Sequence, residues 1–565
     1  MRHAIVVPML VPMVGWIRSY ERSWLRGDLV AGVAVAALII PKNLGYAGIA
    51  GIPLQNGLYA AAAATILYAV LGTSRQISMG PSSGLAAVAA SAVLAAGITS
   101  EADVATFVAG ITLLSGLMFV LLAVLRMSWI ARFLSQAVVT GFLFGAAIDV
   151  VVGELPKITG TDADGSNAFR ELWSWLSGLG ATDAATFAVG AVALVVVFGL
   201  RMVAPSVPGA LVLLVGGLVV SVAADLEGRG VAVVGSIPSG LPSAEMPDVG
   251  LVWGHAGVAS SAALALVLIG FSQTAGDAKV FATRHRYRVD LHQETIAQGV
   301  ANAGAGLLQG MPVSTSLSAS SLNDRAGARS GVASLTSGLV VIGTLLFLAP
   351  LFAHLPTPVL AALVIEAVVM GMMNVGEMRR LARVQRFDFW IAMVAILATL
   401  AVGVLAGVLV GIALSLLWLV AVATRPAMPT LGRRPGTTLF RPLARHPGDE
   451  EFPGVAVLRL EGSLFFATSE ALDERVRELI DGGAGELDCI VLDCSAITFT
   501  DAQGAAALDE LVTVAEESGL ELRLARLRPA VRQVLDRDGV VDRIGEARIH
   551  PSVDLAVRAH LQGAG

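Results

Sequence analysis

Up to about Thr424 the chain is a succession of apolar runs separated by short polar or Pro-containing joints; beyond it, short apolar strands alternate with amphipathic helices. Runs of about twenty apolar residues read as membrane-crossing helices. They fall near 28–52 (with an interruption expected at Pro41-Lys42-Asn43), 54–72, 104–125, 130–152, 184–200 and 207–225, and again near 256–278, 292–309, 331–352, 357–376, 386–404 and 405–424. Two further runs are too short. The run 82–97 follows Gly80-Pro81 and offers about 15 helical residues, roughly 22 Å against a ~30 Å hydrocarbon core. The run 315–328 follows Gly310-Met311-Pro312-Val313-Ser314-Thr315-Ser316 and ends at Asn323-Asp324-Arg325. Both open on Pro and hydroxyl residues, the chemistry of a helix start. Each helix is therefore expected to begin inside the bilayer, where a backbone end is tolerated only if it lines a cavity, and its free N–H groups make a small anion site.

With these two, the count is fourteen spans, and the short ones stand third and tenth. Such a chain divides as seven plus seven. An odd-numbered half inserts inverted relative to its copy, so the two short helices point their N-termini at each other. The halves share little residue identity, so the repeat is inferred from position. The loop charges fit this count: Arg75, Arg126, Arg132, Arg201, Lys279, Arg284, Arg286, Arg288, Arg325, Arg329, Arg379, Arg380, Arg383, Arg386 and Arg425 fall on one side, and only Lys157, Arg170 and Arg229 on the other. By the positive-inside rule both termini are expected to be cytoplasmic, on a multi-pass membrane protein. Residues 1–27 form a cytoplasmic amphipathic lead-in with Trp16 and Trp24 among arginines, suited to a headgroup boundary. Residues 28–424 form the transmembrane domain and 425–451 a Pro/Arg-rich linker. Residues 452–565 form a small α/β domain, with strands at 455–460, 488–492 and 521–527 and helices at 469–481, 502–517 and from Pro529.

Composition narrows the class. Hydrophobic residues make up 55% and charged residues 15% of the 565, mean hydropathy is +0.75, and there are 61 glycines, which excludes a soluble enzyme. The net charge of −6 averages two unlike parts and carries no argument. No secretory signal is evident, because Pro8 and Pro12 break the first apolar run; the first span is its own insertion signal. Cys489 and Cys494 read as small apolar residues of a cytosolic strand rather than as a redox or metal pair. No metal, cofactor or nucleic-acid partner is expected.

A set of motifs along nearly the whole chain, from Trp24-Leu25-Arg26-Gly27-Asp28 onward, is similar to the SulP sulfate-permease family, the bacterial relatives of the eukaryotic anion solute carriers. They are Ile40-Pro41 with Tyr46-Ala47, Ala50-Gly51-Ile52-Pro53 with Gly57-Leu58-Tyr59, Gly72-Thr73-Ser74-Arg75, Gly80-Pro81, Glu294 with Gln298-Gly299 and Asn302, and Asn323 with Ala326-Gly327-Ala328-Arg329. Leu492-Asp493-Cys494-Ser495 and Thr500-Asp501-Ala502-Gln503-Gly504 resemble a STAS domain. The resemblance implies a core domain carrying the site, a gate domain, elevator-like motion and a homodimer. It also implies a regulatory or docking role for the STAS domain. Ala502 and Gln503 fill the turn where related anti-sigma-factor antagonists carry a phosphorylatable Ser, so that switch is not expected; Thr500 reads as an N-cap.

Departures from the family pattern locate the chemistry. Lys42 stands where many relatives have Gln, Gln273 where many have a carboxylate, and Ala319 where many have Arg, so the cation has moved from the tenth span to the first. An ionisable residue inside a membrane is a functional candidate by default. A small anion is expected between the third and tenth spans, held around Ser82, Ser83, Ser314, Thr315 and Ser316. Lys42 is its counter-charge, Tyr46 lies beside it, and Gln273 lines the site by family position. Asp277 is expected to pair with Lys42 when the site is empty or to carry a coupling proton, and Glu366 is a second proton candidate. Asp149 and Glu154 are weaker ones, and His255 and His292 read as interfacial. Sodium coupling calls for a carboxylate at 273, so a proton is the expected coupling ion. Sulfate is the default substrate, with bicarbonate or a C4-dicarboxylate as alternatives. The rival from another class is a membrane-anchored STAS regulator with little transport.

Overall fold

The computed structural model describes residues 12–563 apart from 19, 128–134, 166, 205–206, 236, 239 and 483–486. It divides into two compact units, one running to Ser415 and one from Leu416. The start of the expected fifth span, with Arg132, and Pro8 lie outside the described residues.

The first unit is helical. Among the described residues nine helices are long and apolar enough to cross a membrane, eight within this unit and the ninth, Val404–Ala423, running past its end, and Ser83–Ala96 and Gly209–Ala223 are shorter apolar helices. The stretches expected at 292–309 and 386–404 form the 17-residue helices Leu291–Leu307 and Arg386–Val402. The run expected at 315–328 yields only the nine-residue helix Leu317–Arg325. Leu25–Ile49 runs unbroken through Pro41, where an interruption was expected. One proline removes a single intrahelical bond, and packing on both sides of this buried helix outweighs that loss. Two amphipathic helices, Ala168–Gly178 and Val375–Val384, occupy stretches read as loop and span end. Many glycines serve close helix packing. A Cβ on Gly116 would lie 2.7 Å from the Gly299 carbonyl oxygen and one on Gly306 2.8 Å from that of Ala109, so Glu101–Val124 and Leu291–Leu307 meet backbone to backbone. Trp16, expected among headgroups, donates its indole N–H to Ala69 O at 3.3 Å and covers Gly331.

Two three-residue strands sit inside this helical unit. β1 (Met79–Pro81) pairs antiparallel with β2 (Val313–Thr315), in the register Met79↔Thr315, Gly80↔Ser314 and Pro81↔Val313. Each strand runs directly into one of the short helices, Ser83–Ala96 and Leu317–Arg325. Because the strands are antiparallel, the two helices leave the ladder at opposite ends.

In the second unit, residues expected as a bare linker form a hairpin of β3 (Leu431–Arg433) and β4 (Phe440–Pro442), and Ala427 and Thr430 bridge to Glu461 and Leu458. Leu431 and Phe440 are buried in this unit's core, which is why the segment is ordered rather than free. The remainder is a four-stranded sheet ordered β5 (Val455–Arg459), β6 (Cys489–Asp493), β7 (Glu521–Ala525) and β8 (Ile549–His550), all parallel. Its strands are joined through helices including Ser469–Gly482, Ala502–Glu517 and Pro529–Asp538.

Candidate anion site

The ladder is held from behind by buried polar side chains. Ser316 N bonds Ser78 O, so Ser78↔Ser316 and Gly80↔Ser314 are the hydrogen-bonded pairs of the ladder and Pro81↔Val313 is a non-bonded one, in which the N–H and C=O of Val313 face away from β1. Asn302 takes both polar groups of Val313 instead, accepting from its N–H at 3.0 Å and donating to its carbonyl at 2.9 Å. The Ser314 hydroxyl donates to Gly270 O at 3.2 Å and accepts from Gln298 Nε2 at 3.3 Å. Thr274 donates to the Oε1 of the same Gln298. The Ser78 amide donates to Ser320 Oγ at 2.9 Å, and Asn323 donates to Gln76 O at 3.1 Å. The loop leading into β1 is fixed by Glu294, whose carboxylate accepts from the Tyr68 hydroxyl at 2.8 Å, the Thr73 amide and hydroxyl at 2.7 and 2.6 Å, and the Ser74 amide at 3.2 Å. Asp28 likewise accepts from the Arg329 and Ser330 amides and the Ser330 hydroxyl, at 2.7, 3.2 and 2.6 Å. The motifs scattered along the sequence are thus largely partners of one another.

Both short helices are capped as expected: Ser82 Oγ accepts from Leu85 N at 3.5 Å and Ser316 Oγ from Ala319 N at 3.4 Å. The starts do not meet. Ser316 N donates to Ser78 O, and Ser82 lies four residues further along the opposing chain, roughly 13 Å away at ~3.3 Å per residue. Both dipoles therefore point at the ladder, from its two ends.

A cavity of about 20 Å³, room for one water, lies against the ladder. Its polar lining is Lys42, Asn43, Tyr46, Ser78, Ser316 and Ser318, with the backbone of β1. A Cβ on Gly80 would meet nothing within 4 Å, so the ladder is open on that face. Asn43 is 1% exposed, yet its Nδ2 has no hydrogen-bond partner. Among the described residues Lys42 makes no ion pair within 4 Å. A cation and a spare amide donor thus line one small space at the start of Leu317–Arg325, and both suit an anion.

The expected residues divide. Lys42, Tyr46 and Ser316 line this cavity; Ser82 and Ser83 belong to the other helix start, with the Tyr46 phenol against Ser83. Ser314 is committed to the scaffold. The Thr315 hydroxyl donates to Asp277 at 2.7 Å, so Asp277 is held by β2 and not by Lys42. Gln273 Oε1 is buried without a hydrogen-bond partner. Glu366 accepts from Arg201 at 2.8 Å. Asn43, Ser78 and Ser318 are additions. Asn43 adjoins Lys42 in sequence, but only the helix running on through Pro41 turns it to the cavity.

Two of the larger cavities are lined by the remaining charged candidates. One, of about 560 Å³, shares Leu38, Lys42 and Ser318 with the small cavity and is lined further by Arg201, Arg325 and Glu366. The other, of about 520 Å³, is lined by Asp149, Glu154, Glu171 and Lys157 beside Ser91 and Thr399. Glu154 there is paired with Lys157 at 2.7 Å. Three cations to one carboxylate line the first, and three carboxylates to one cation the second. His255 Nδ1 sits 3.0 Å from Leu251 O with its ring edge-on to Phe107, a packing role.

In the second unit, Asp493 sits under Arg459 at 2.7 Å and Arg526 Nε at 2.9 Å. Burial pushes its carboxyl up, but the bonds from Arg526 and Arg459 prevail and hold it below the usual range. Asp501, not Thr500, caps Ala502–Glu517, accepting from Gly504 N at 2.8 Å, because the carboxylate one residue further on reaches that amide while Thr500 is buried. The sulfur of Cys489 lies within 4.8 Å of ligand atoms of Glu521 and His560. This does not make a metal centre: Arg523, Arg548 and His560 already occupy the Glu521 carboxylate at 2.9, 3.1 and 2.9 Å. Burial also pushes the Cys489 thiol up to about 12.

Family models match twice: the sulfate permease family over residues 25–395 and the STAS domain over 446–556. A Mycobacterium tuberculosis protein named a probable sulfate transporter is 34% identical over 549 residues, 97% of both chains. The chloroplastic sulfate transporter 4.1 of Arabidopsis thaliana is 28% identical, over 98% of this chain and 83% of its own. The fold is similar to murine solute carrier 26 family member A9 in its inward-facing state, with TM-score 0.89 at 22% identity, covering 99% of this chain and 96% of that one. It is also similar to the transmembrane domain of a cyanobacterial bicarbonate transporter, with TM-score 0.59 at 18% identity, over 70% and 98%.

Proposed function

The chain belongs to the sulfate permease family, and from that premise we propose that it carries a small anion of the sulfate class across the bacterial inner membrane by secondary active transport. The observation that carries this reading is the convergence of Lys42, the spare Asn43 Nδ2 and the start of Leu317–Arg325 at the small cavity against the β1–β2 ladder, which takes an anion only when widened toward the 560 Å³ cavity that shares Leu38, Lys42 and Ser318 with it. Two helix dipoles and one cation favour a mono- or divalent anion and disfavour a cation. Tyr46 closes the cavity beside Lys42, and the Ser83–Ala96 start acts through its dipole from the far end of the ladder. Bicarbonate and C4-dicarboxylates remain alternative substrates.

In this reading the fourteen segments form two inverted repeats of seven, with both termini cytoplasmic. The transport domain extends to 424, followed by the STAS domain. Transport is elevator-like and the protein is a homodimer. The basic 560 Å³ cavity is the cytoplasmic vestibule, since Arg201 and Arg325 lie on the positive side of the topology. A proton is the coupling ion. Asp277 is its preferred carrier because it is joined through Thr315 to the strand that presents the anion site. Glu366 is the second candidate, weakened by its pairing with Arg201. Gln273 is not among the residues that line the small cavity and its unpartnered Oε1 is an acceptor, so its proposed part in orienting the anion rests on family position and on its Nε2 donors.

The test is uptake of labelled sulfate by proteoliposomes with and without an inward proton gradient, competed by bicarbonate, fumarate and succinate. Gradient-driven uptake is expected, with the response to the gradient lost in Asp277→Asn. Entry of a competitor but not sulfate changes the substrate only. Entry of none of them overturns the transport reading in favour of a membrane-anchored STAS regulator.

A further inference from the structure

The carboxylate closest in function to a bound anion is one the protein already owns. Glu366, on Thr357–Met372, is buried and lines the same 560 Å³ cavity as Lys42. Its helix packs against both Leu25–Ile49, which carries Lys42, and Ala184–Val203, which carries Arg201. Glu366 and Arg201 are the charged groups that act on Lys42. Yet Glu366 is spoken for: the Arg201 guanidinium holds it at 2.8 Å, and Lys42 is left without an ion pair among the described residues.

The geometry points to Arg201 as a positioning residue that keeps Lys42 free for the transported anion by occupying Glu366. A buried carboxylate deprived of its partner is strongly disfavoured and takes the nearest available cation. Lys42 and Arg325 are the cations that remain in the cavity, and Glu366 already acts on Lys42; Lys42 is the one taken to close on it. Its flexible four-carbon stem lets the ammonium turn toward Glu366. Once there, Glu366 acts as a tethered anion that competes with the substrate at a very high local concentration. Arg201 prevents this without touching the substrate, and its planar fork suits the task better than a second lysine would. The inference rests on the reading of Lys42 as the counter-charge of the anion.

The experiment is equilibrium binding of labelled sulfate to the purified full chain, with bicarbonate and fumarate as parallel probes, together with the thermal melting of each variant. Arg201→Gln is expected to weaken binding at least about tenfold, since the ligand must displace a tethered internal anion from Lys42. Its melting temperature stays within about 2 °C of the parent, because Lys42 replaces the lost partner of Glu366. Adding Glu366→Gln to Arg201→Gln restores binding to within about threefold of the parent by removing the competitor. Glu366→Gln alone binds as tightly as the parent or more tightly. Parent-like binding by Arg201→Gln overturns the inference, as does a double variant as weak as Arg201→Gln. A fall in melting temperature that tracks the loss of binding overturns it too, by making Arg201 a structural residue. The Lys42→Gln variant separates the two levels: if it binds normally, the counter-charge reading fails, and this inference with it. If Lys42→Gln loses binding while Arg201→Gln keeps it, only this inference falls.

Discussion

Asn302 is the side chain on which the ladder most directly depends. It is 1% exposed, accepts from Val313 N at 3.0 Å, and donates to Val313 O at 2.9 Å and to Gln298 O at 3.0 Å. Asn302→Ala leaves the Val313 N–H and C=O buried with no partner, because at this non-hydrogen-bonded pair both face away from β1 toward Asn302. Each orphaned group costs about 1–3 kcal/mol, so about 2–6 kcal/mol in total. Asn302→Asp keeps an acceptor for the N–H but sets a carboxylate against the Val313 carbonyl, and should be at least as damaging. The displaced β2 carries Thr315 and the Ser316 cap with it, so sulfate affinity falls along with stability. Thermal unfolding of the full chain, with and without sulfate, reads both effects. Unchanged melting and unchanged sulfate affinity in Asn302→Ala would refute the clamp.

Two glycines give opposite expectations. A Cβ on Gly57 would sit 2.2 Å from the Asn43 carbonyl oxygen, so Gly57→Ala should push the first helix aside and lower both stability and uptake; a Cβ on Gly80 meets nothing within 4 Å, so Gly80→Ala should fold and melt normally while sulfate binding weakens from a narrowed cavity. In the STAS domain, Asp493 is held below the usual carboxyl range, so its contribution is present at neutral pH and disappears as the pH falls below about 4. Hydrogen exchange at β6 in the full chain should accelerate through that window, and Asp493→Asn should already exchange faster at pH 7.

The two short helices were legible because Pro, Gly and Ser announce a helix start, and an apolar run of about 15 residues cannot cross a bilayer alone. Lys42 was legible as a charge where none should be. The ladder itself was not: three residues per strand carry no period-2 signal, and the pairing of Gly80 with Ser314 is a contact between distant parts of the chain. For the same reason Glu294 and Asn302 could be singled out, but not what they hold. Pro41 was over-read as a break because local propensity omits the packing that keeps Leu25–Ile49 helical. The polar composition of 425–451 concealed a hairpin whose Leu431 and Phe440 are buried. Asp277 was assigned to Lys42 on shared charge alone, whereas its neighbour Thr315 is set by the strand register, and Arg201 was counted only as a loop charge.

Lys42 carries the central claim, and binding tests it more directly than transport, since binding needs no gradient. Labelled sulfate would be titrated at equilibrium into the purified full chain and into Lys42→Gln, at low and high salt. The account predicts saturable, salt-sensitive binding by the parent and at least about a tenfold loss in Lys42→Gln, as expected when the one full charge facing a buried anion is removed. Binding by Lys42→Gln equal to the parent at both salt concentrations would contradict it.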